Sequence, residues 1–455
     1  MKQKNEIDML HGPLLSKILA FTLPLMATSI LQLLFNAADT IVVGRFAGHT
    51  SLAAVGSTTS LIQLFVNLLL GLSIGTNVVV AQFLGAGKLQ KIKEAVHTAM
   101  LMAAVGGVVM AIIGWVCAPQ LLKAMATPDD VIGLSGLYLR IYFIGMPFQT
   151  IYNFSAAILR AKGDTRRPLI YLSVSGIMNV VLNLWFVIGL HMDVAGVALA
   201  TIISQFVSGI LVFRCLCMEK GPLHFSFNDL VFERESFVKM MRIGLPAGLQ
   251  STVFSLSNVV IQSTVNGFGS VVMAGNSAAI SIEGFVYVSM NAFQQACQTF
   301  VGQNAGAGQF NRVKKILLRC LACATATGVL LGGLVILFGE QLCEIYSSDP
   351  EVIQWGMLRL LIICSTYFLC GIMDTMVGAL RGIGYSVVPM IVSLIGACGF
   401  RLLWIAFVFP LSPVIENLYI SYPISWLLTF IAHVIYWKIE WRKVEKMQVN
   451  RLERA

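Results

Sequence analysis

Apolar residues run along this chain in long blocks, broken by short polar and basic stretches. A helix that crosses a hydrocarbon core of about 30 Å needs roughly 20 such residues. Twelve blocks meet that length: 18–43, 53–83, 95–118, 132–158, 168–190, 195–217, 240–265, 274–301, 316–339, 352–379, 387–410 and 419–437. The pattern predicts an all-α polytopic membrane protein of twelve transmembrane helices. The first block is longer than the apolar core of a cleavable signal, and no small-residue cleavage site stands out after it. The longest polar stretch follows the sixth block. It divides the chain into an amino-terminal six-helix lobe (1–218), a linker (219–239) and a carboxyl-terminal six-helix lobe with a basic tail (240–455).

Composition agrees with this reading. Of the 455 residues, 57% are hydrophobic and 12% charged, with a mean hydropathy of +0.80. A soluble domain carries about 25% charged residues, so an ordinary cytosolic enzyme, a disordered chain and a nucleic-acid binder are excluded. The net charge of +9 sits in short clusters between blocks and reports orientation. Nearly all of the 31 Lys and Arg fall on one side of the predicted topology. The exceptions are Arg45 and Lys123 on the other side, and Arg140, Arg359 and Arg401 inside blocks. The bias predicts a multi-pass protein of a cytoplasmic membrane with both termini in the cytoplasm.

The two halves repeat at an offset of about 221. Gln82-Phe-Leu-Gly85-Ala-Gly87 matches Gln303-Asn-Ala-Gly306-Ala-Gly308, and Leu159-Arg160-Ala-Lys-Gly163 matches Leu380-Arg381-Gly-Ile-Gly384. Leu23-Pro24 matches Leu245-Pro246, and Asp130-Val-Ile matches Glu351-Val-Ile. Six spans per half is an even number, so the repeats are parallel, as in transporters whose lobes rock about a central site.

The chain resembles the multidrug and toxic compound extrusion (MATE) family, of the MOP superfamily, over essentially its whole length. The resemblance is carried by Leu23-Pro24, by Asp39-Thr-Ile-Val-Val-Gly44-Arg45, by the paired Leu-Arg-x-x-Gly loops and by Asn179-x-x-x-Asn183. It implies two six-helix lobes and a cation-coupled antiporter that exports amphipathic, often cationic, compounds in exchange for Na⁺ or H⁺.

A charge at the bilayer centre costs at least about 2.5–3.5 kcal/mol, so buried ionisable groups direct attention to function. Gln32, Asn36 and Asp39 follow steps of four and three and form one polar stripe on the first span, beyond Pro24. Asn179 and Asn183 are one turn apart on the fifth span, and Thr201 lies on the sixth. The resemblance places Asp39, Asn179, Asn183 and Thr201, with Asn36 beside them, at the amino-lobe cation site. Many members carry Asp where this chain has Asn183. The remaining oxygens still suit a hard cation, and Asp39 suits a proton equally.

In the second half, Asp374 falls at the repeat position of Asn153. Glu283 and Arg401 have opposite charges, and Arg401 is expected to pair with Glu283 or Asp374. Arg140 and Arg359 lie about two turns into the fourth and tenth spans and are expected to snorkel to the interface. Gln63, Asn67 and Gln294 belong to amide stripes that suit helix packing or a cavity wall. Tyr138, Tyr142, Phe148, Phe154 and Met146 join Tyr152, Tyr287 and Met290 as aromatic and thioether groups that suit ligands of varied shape. The substrate-cavity candidates are Gln32, Gln63, Asn67, Asn153, Tyr152, Tyr287, Met290 and Gln294.

Gly85-Ala-Gly87-Lys88 lacks the first glycine and the final Ser/Thr of a phosphate loop, so no ATP site is expected. The ten cysteines are expected to be free thiols, and no metal is expected beyond Na⁺ at Asp39. The expected partners are a small amphipathic cation and membrane lipid, for a monomer that is not an enzyme and carries no cofactor other than its coupling ion. A lipid-linked oligosaccharide flippase of the same superfamily is the alternative. It would need several cavity Arg or Lys for pyrophosphate.

Overall fold

The structure, a computed structural model, describes residues 6–125 and 127–452. Lys2 and Lys4 of the basic amino end, and Arg454 at the end of the basic tail, lie outside the described residues. The described chain is helical throughout its long elements, and the predicted blocks fall on them in order. Among the described residues, nine helices are long and apolar enough to cross a membrane, and two bent pairs raise this to eleven. The seventh block lies in Arg234–Asn266, a helix of 33 residues. It is long enough to span but more polar than the others, because Ser251, Ser255, Asn258 and Gln262 lie along it.

Irregularities recur in both halves. The fourth span bends by 45° between Ile144 and Met146, where Pro147 removes a helix hydrogen bond. The tenth bends by 46° between Thr366 and Phe368, with no proline at the bend. The fifth span ends in a wide π turn at Trp185–Gly189. The eleventh has two such turns, Leu394–Gly399 and Trp404–Val408. The tenth span opens on Pro350, capped by the Asp349 carboxylate, which accepts from the Glu351 amide at 2.9 Å.

The chain forms two compact units. One comprises Met1–Thr252 with Gln303–Gln309, and the other Val253–Gly302 with Phe310–Ala455. The division therefore falls inside the seventh span and not at the linker. The cause is close packing within the first unit: Gly71 and Gly75 of the second span meet Gly248 and Gly244 of the seventh so tightly that a methyl at any of them would strike backbone. The Gln82 and Gln303 motifs cross in the same manner. A methyl on Gly85 would strike the Gln303 carbonyl, and one on Gly306 the Gln82 carbonyl.

The linker is docked on the first unit. Leu223 and Phe225 enter its core, and Phe225 stacks on His97 at 5.0 Å. Glu219, with a fully buried side chain, takes Lys162 at 2.6 Å and Arg167 at 2.9 Å. Burial pushes its carboxyl up, but the two cations hold it below the ordinary range. In the second unit the core gathers around Tyr367, Tyr419, Tyr422 and Trp426.

Candidate functional site

In the first unit the first and fifth spans bring the predicted polar groups together. Gly176 permits this approach, since the Phe35 ring occupies the space a side chain there would need. Two turns beyond Gly176, Asn183 donates from Nδ2 to Asp39 Oδ1 at 2.5 Å and to Asn179 Oδ1 at 3.3 Å. Asn183 is fully buried, and its own Oδ1 meets no hydrogen-bond donor. A half-buried carboxylate and an unsatisfied amide oxygen thus lie on one side-chain pair, a donor set that suits a hard cation or a proton. Thr201 donates to the Val197 carbonyl at 2.9 Å and keeps its lone pairs. Asn36 and Gln32 are exposed on the same stripe. Tyr138 and Tyr142, both buried, stand within electrostatic reach of Asp39.

The second unit departs from the sequence expectations. Arg359 does not snorkel: it is buried and grips Glu283 with two nitrogens, one of them Nε at 3.3 Å. Its Nη1 donates to Asn276 at 2.9 Å, and the Tyr419 hydroxyl donates to the same oxygen at 3.0 Å. Glu283 is therefore taken, and Arg401 pairs with neither it nor Asp374. Arg401 instead donates from Nε to Ser425 at 2.9 Å and lies 4.0 Å from the Tyr422 ring centre and 5.4 Å from that of Trp426. Asp374 stands against the Tyr287 hydroxyl and near Arg381. Arg140 is exposed and lies over the Trp115 ring at 5.9 Å, as an interfacial side chain would.

Several cavity candidates make packing contacts. Tyr152 is buried, with its hydroxyl donating to the Pro168 carbonyl at 3.2 Å. Met290 is buried against Gly328 and Gly371. Gln294 packs on Gly378 and accepts from Asn291 at 2.5 Å. Met146 and Phe154 are fully buried, and Phe148 meets Phe206 edge to face at 4.8 Å. Gln63 and Tyr287 are exposed, whereas Asn67 and Asn153 are half-buried. Sequence reasoning missed Asn276, Tyr419, Tyr422 and Trp426, whose roles follow from which helix faces meet.

A doubled six-helix pattern, matching bends in both halves and a half-buried carboxylate within a span define a polytopic membrane transporter. The MatE family model matches residues 24–185 and again 246–406, displaced by about the motif offset. The chain belongs to the MATE transporter family. It is 27% identical over 441 residues to the "Probable multidrug resistance protein YoeA" of Bacillus subtilis (strain 168), covering 95% of this chain and 94% of that one. It is 28% identical over 393 residues to the "Probable multidrug resistance protein NorM" of Thermotoga maritima, covering 85% and 84%. Among solved structures, an outward-facing multidrug resistance MATE family transporter of the MOP superfamily superposes with TM-score 0.91 at 21% identity, covering 98% of this chain and all of that one.

Proposed function

We propose that this transporter exports small amphipathic, cationic compounds across the cell membrane in exchange for a monovalent cation, H⁺ or Na⁺, that binds at Asp39. The single observation carrying this reading is the Asp39–Asn183–Asn179 cluster, with its unsatisfied Asn183 oxygen. The names of the relatives support export of drugs, and the one-sided distribution of Lys and Arg supports cytoplasmic termini. The protein acts as a monomer in this reading, without a cofactor.

The coupling follows from linkage. An ion drives a two-state transporter only if it binds one state more tightly than the other, and shifting the equilibrium from 1:99 to 99:1 takes about 5.5 kcal/mol of differential binding. A carboxylate held by one amide donor gains strongly from a cation in the state that closes around it, and loses that gain when the site opens to water. Exposed Gln32 and Asn36 lead along the first span to this group.

The test uses the full chain reconstituted in vesicles loaded with ethidium, under an imposed Na⁺ gradient or an imposed pH gradient alone. One gradient drives ethidium against its own concentration and the other does not. Equal ethidium movement with both gradients collapsed contradicts the proposal.

A further inference from the structure

Buried charge in the second unit does not balance. Arg359 is neutralised by Glu283, and Arg381 lies near Asp374. Arg401 is equally buried, 4% exposed, yet among the described residues no carboxylate forms an ion pair with it. Guanidinium does not give up its proton in proteins, so this charge persists in a low-dielectric setting. The Tyr422 and Trp426 rings offset part of the cost. One nitrogen, Nη2, remains buried without an acceptor. Leaving such a charged donor unmet is among the costlier defects a core can hold.

A weakly held hydroxyl lies close by. The Cys398 thiol stands beside Arg401 and is hydrogen-bonded to the buried Ser257 hydroxyl. A guanidinium nitrogen without an acceptor, and a hydroxyl whose partner is a weak sulfur acceptor, thus flank one thiol. The irregular backbone fits this role, since Arg401 sits on a single helical turn between two π turns, a distortion frequent at functional sites.

The repeat gives the observation its meaning. At the offset of 221, Ser257 corresponds to Asn36 and Arg401 to Val180, the neighbour of Asn179. The position of Asp39 is held by Val260. The second half therefore presents the same two spans as the cation cluster, with the carboxylate removed and a guanidinium added. We infer that the second half holds a binding site for a monovalent anionic group, a halide or a carboxylate, between Arg401 and Ser257. A carboxylate or halide there would accept from Nη2 and from the hydroxyl, the short charge-assisted pairing that guanidinium favours.

Binding is read first without transport, from the chloride NMR line width of the purified full-length protein, with acetate as competitor. The expected result is excess broadening that acetate removes, with affinity at least about tenfold weaker in Arg401→Gln and a few-fold weaker in Ser257→Ala. Ser257→Ala keeps the test alive if Arg401→Gln does not fold. Broadening that is absent in the wild-type chain, or equal in both variants, overturns the inference. A second arm, which alone rests on the export reading above, compares efflux of one xanthene dye as its free acid and as its methyl ester. A loss in Arg401→Gln confined to the free acid assigns the anion to the exported compound. Equal efflux changes for both forms, with the chloride signal present, assign it to halide.

Discussion

Asp39 and Glu283 are both carboxylates inside spans, and the structure gives them opposite fates. Asp39 meets a neutral amide, whereas Glu283 is consumed by Arg359, which also donates to the Asn276 oxygen that accepts from Tyr419. The first was legible because Gln32, Asn36 and Asp39 recur at helical spacing within one segment. The second was not, since nothing local in the eighth or tenth span states that their polar positions face each other. A buried pair broken on one side leaves an uncompensated charge, at about 3–5 kcal/mol, while replacing both partners with apolar groups is often neutral. Arg359→Met is therefore expected to lower the melting temperature of the purified protein sharply, and Arg359→Met with Glu283→Leu to recover most of the loss. A double variant as unstable as the single one would show that the network does more than neutralise itself.

Among the elements, helix positions were readable and helix irregularities were not. Hydrophobic block length fixed the spans, including the seventh, whose Ser and Asn residues lower its apolarity without shortening it. The π turns at Trp185–Gly189 and Trp404–Val408 leave no such trace, because they depend on packing against neighbouring helices. Glycines sit between these cases. The paired motifs around Gly85 and Gly306 read as a repeat, yet the first glycine of each also permits a backbone crossing that only glycine fits. Gly85→Ala is expected to destabilise the protein by about 1–3 kcal/mol through overpacking. Gly133→Ala, where a methyl meets nothing within 4 Å, is expected to be neutral or slightly stabilising. Thermal unfolding of the two variants in detergent checks the contrast, and equal effects would contradict the crossing's role.

For the whole molecule, duplication sets two copies of one six-span unit in a single chain. Each half repeats the bent fourth span and the π-distorted fifth, while Asp39 of the first span has Val260 at its repeat position and Arg401 of the eleventh has Val180. The repeat was visible from four motif pairs, and the family match falls on the same two segments. The difference in unpaired charge between the halves was hidden, because it required knowing which charges are already neutralised. The account rests on Asp39 as the group that trades its ion between states. Ethidium efflux from reconstituted vesicles, driven by whichever gradient powers the wild-type chain, tests this most directly in Asp39→Asn. That variant is expected to keep ethidium binding while gradient-driven efflux falls at least about tenfold, the equivalent of losing roughly 1.4 kcal/mol of coupling. Full gradient-driven efflux by Asp39→Asn would contradict the account.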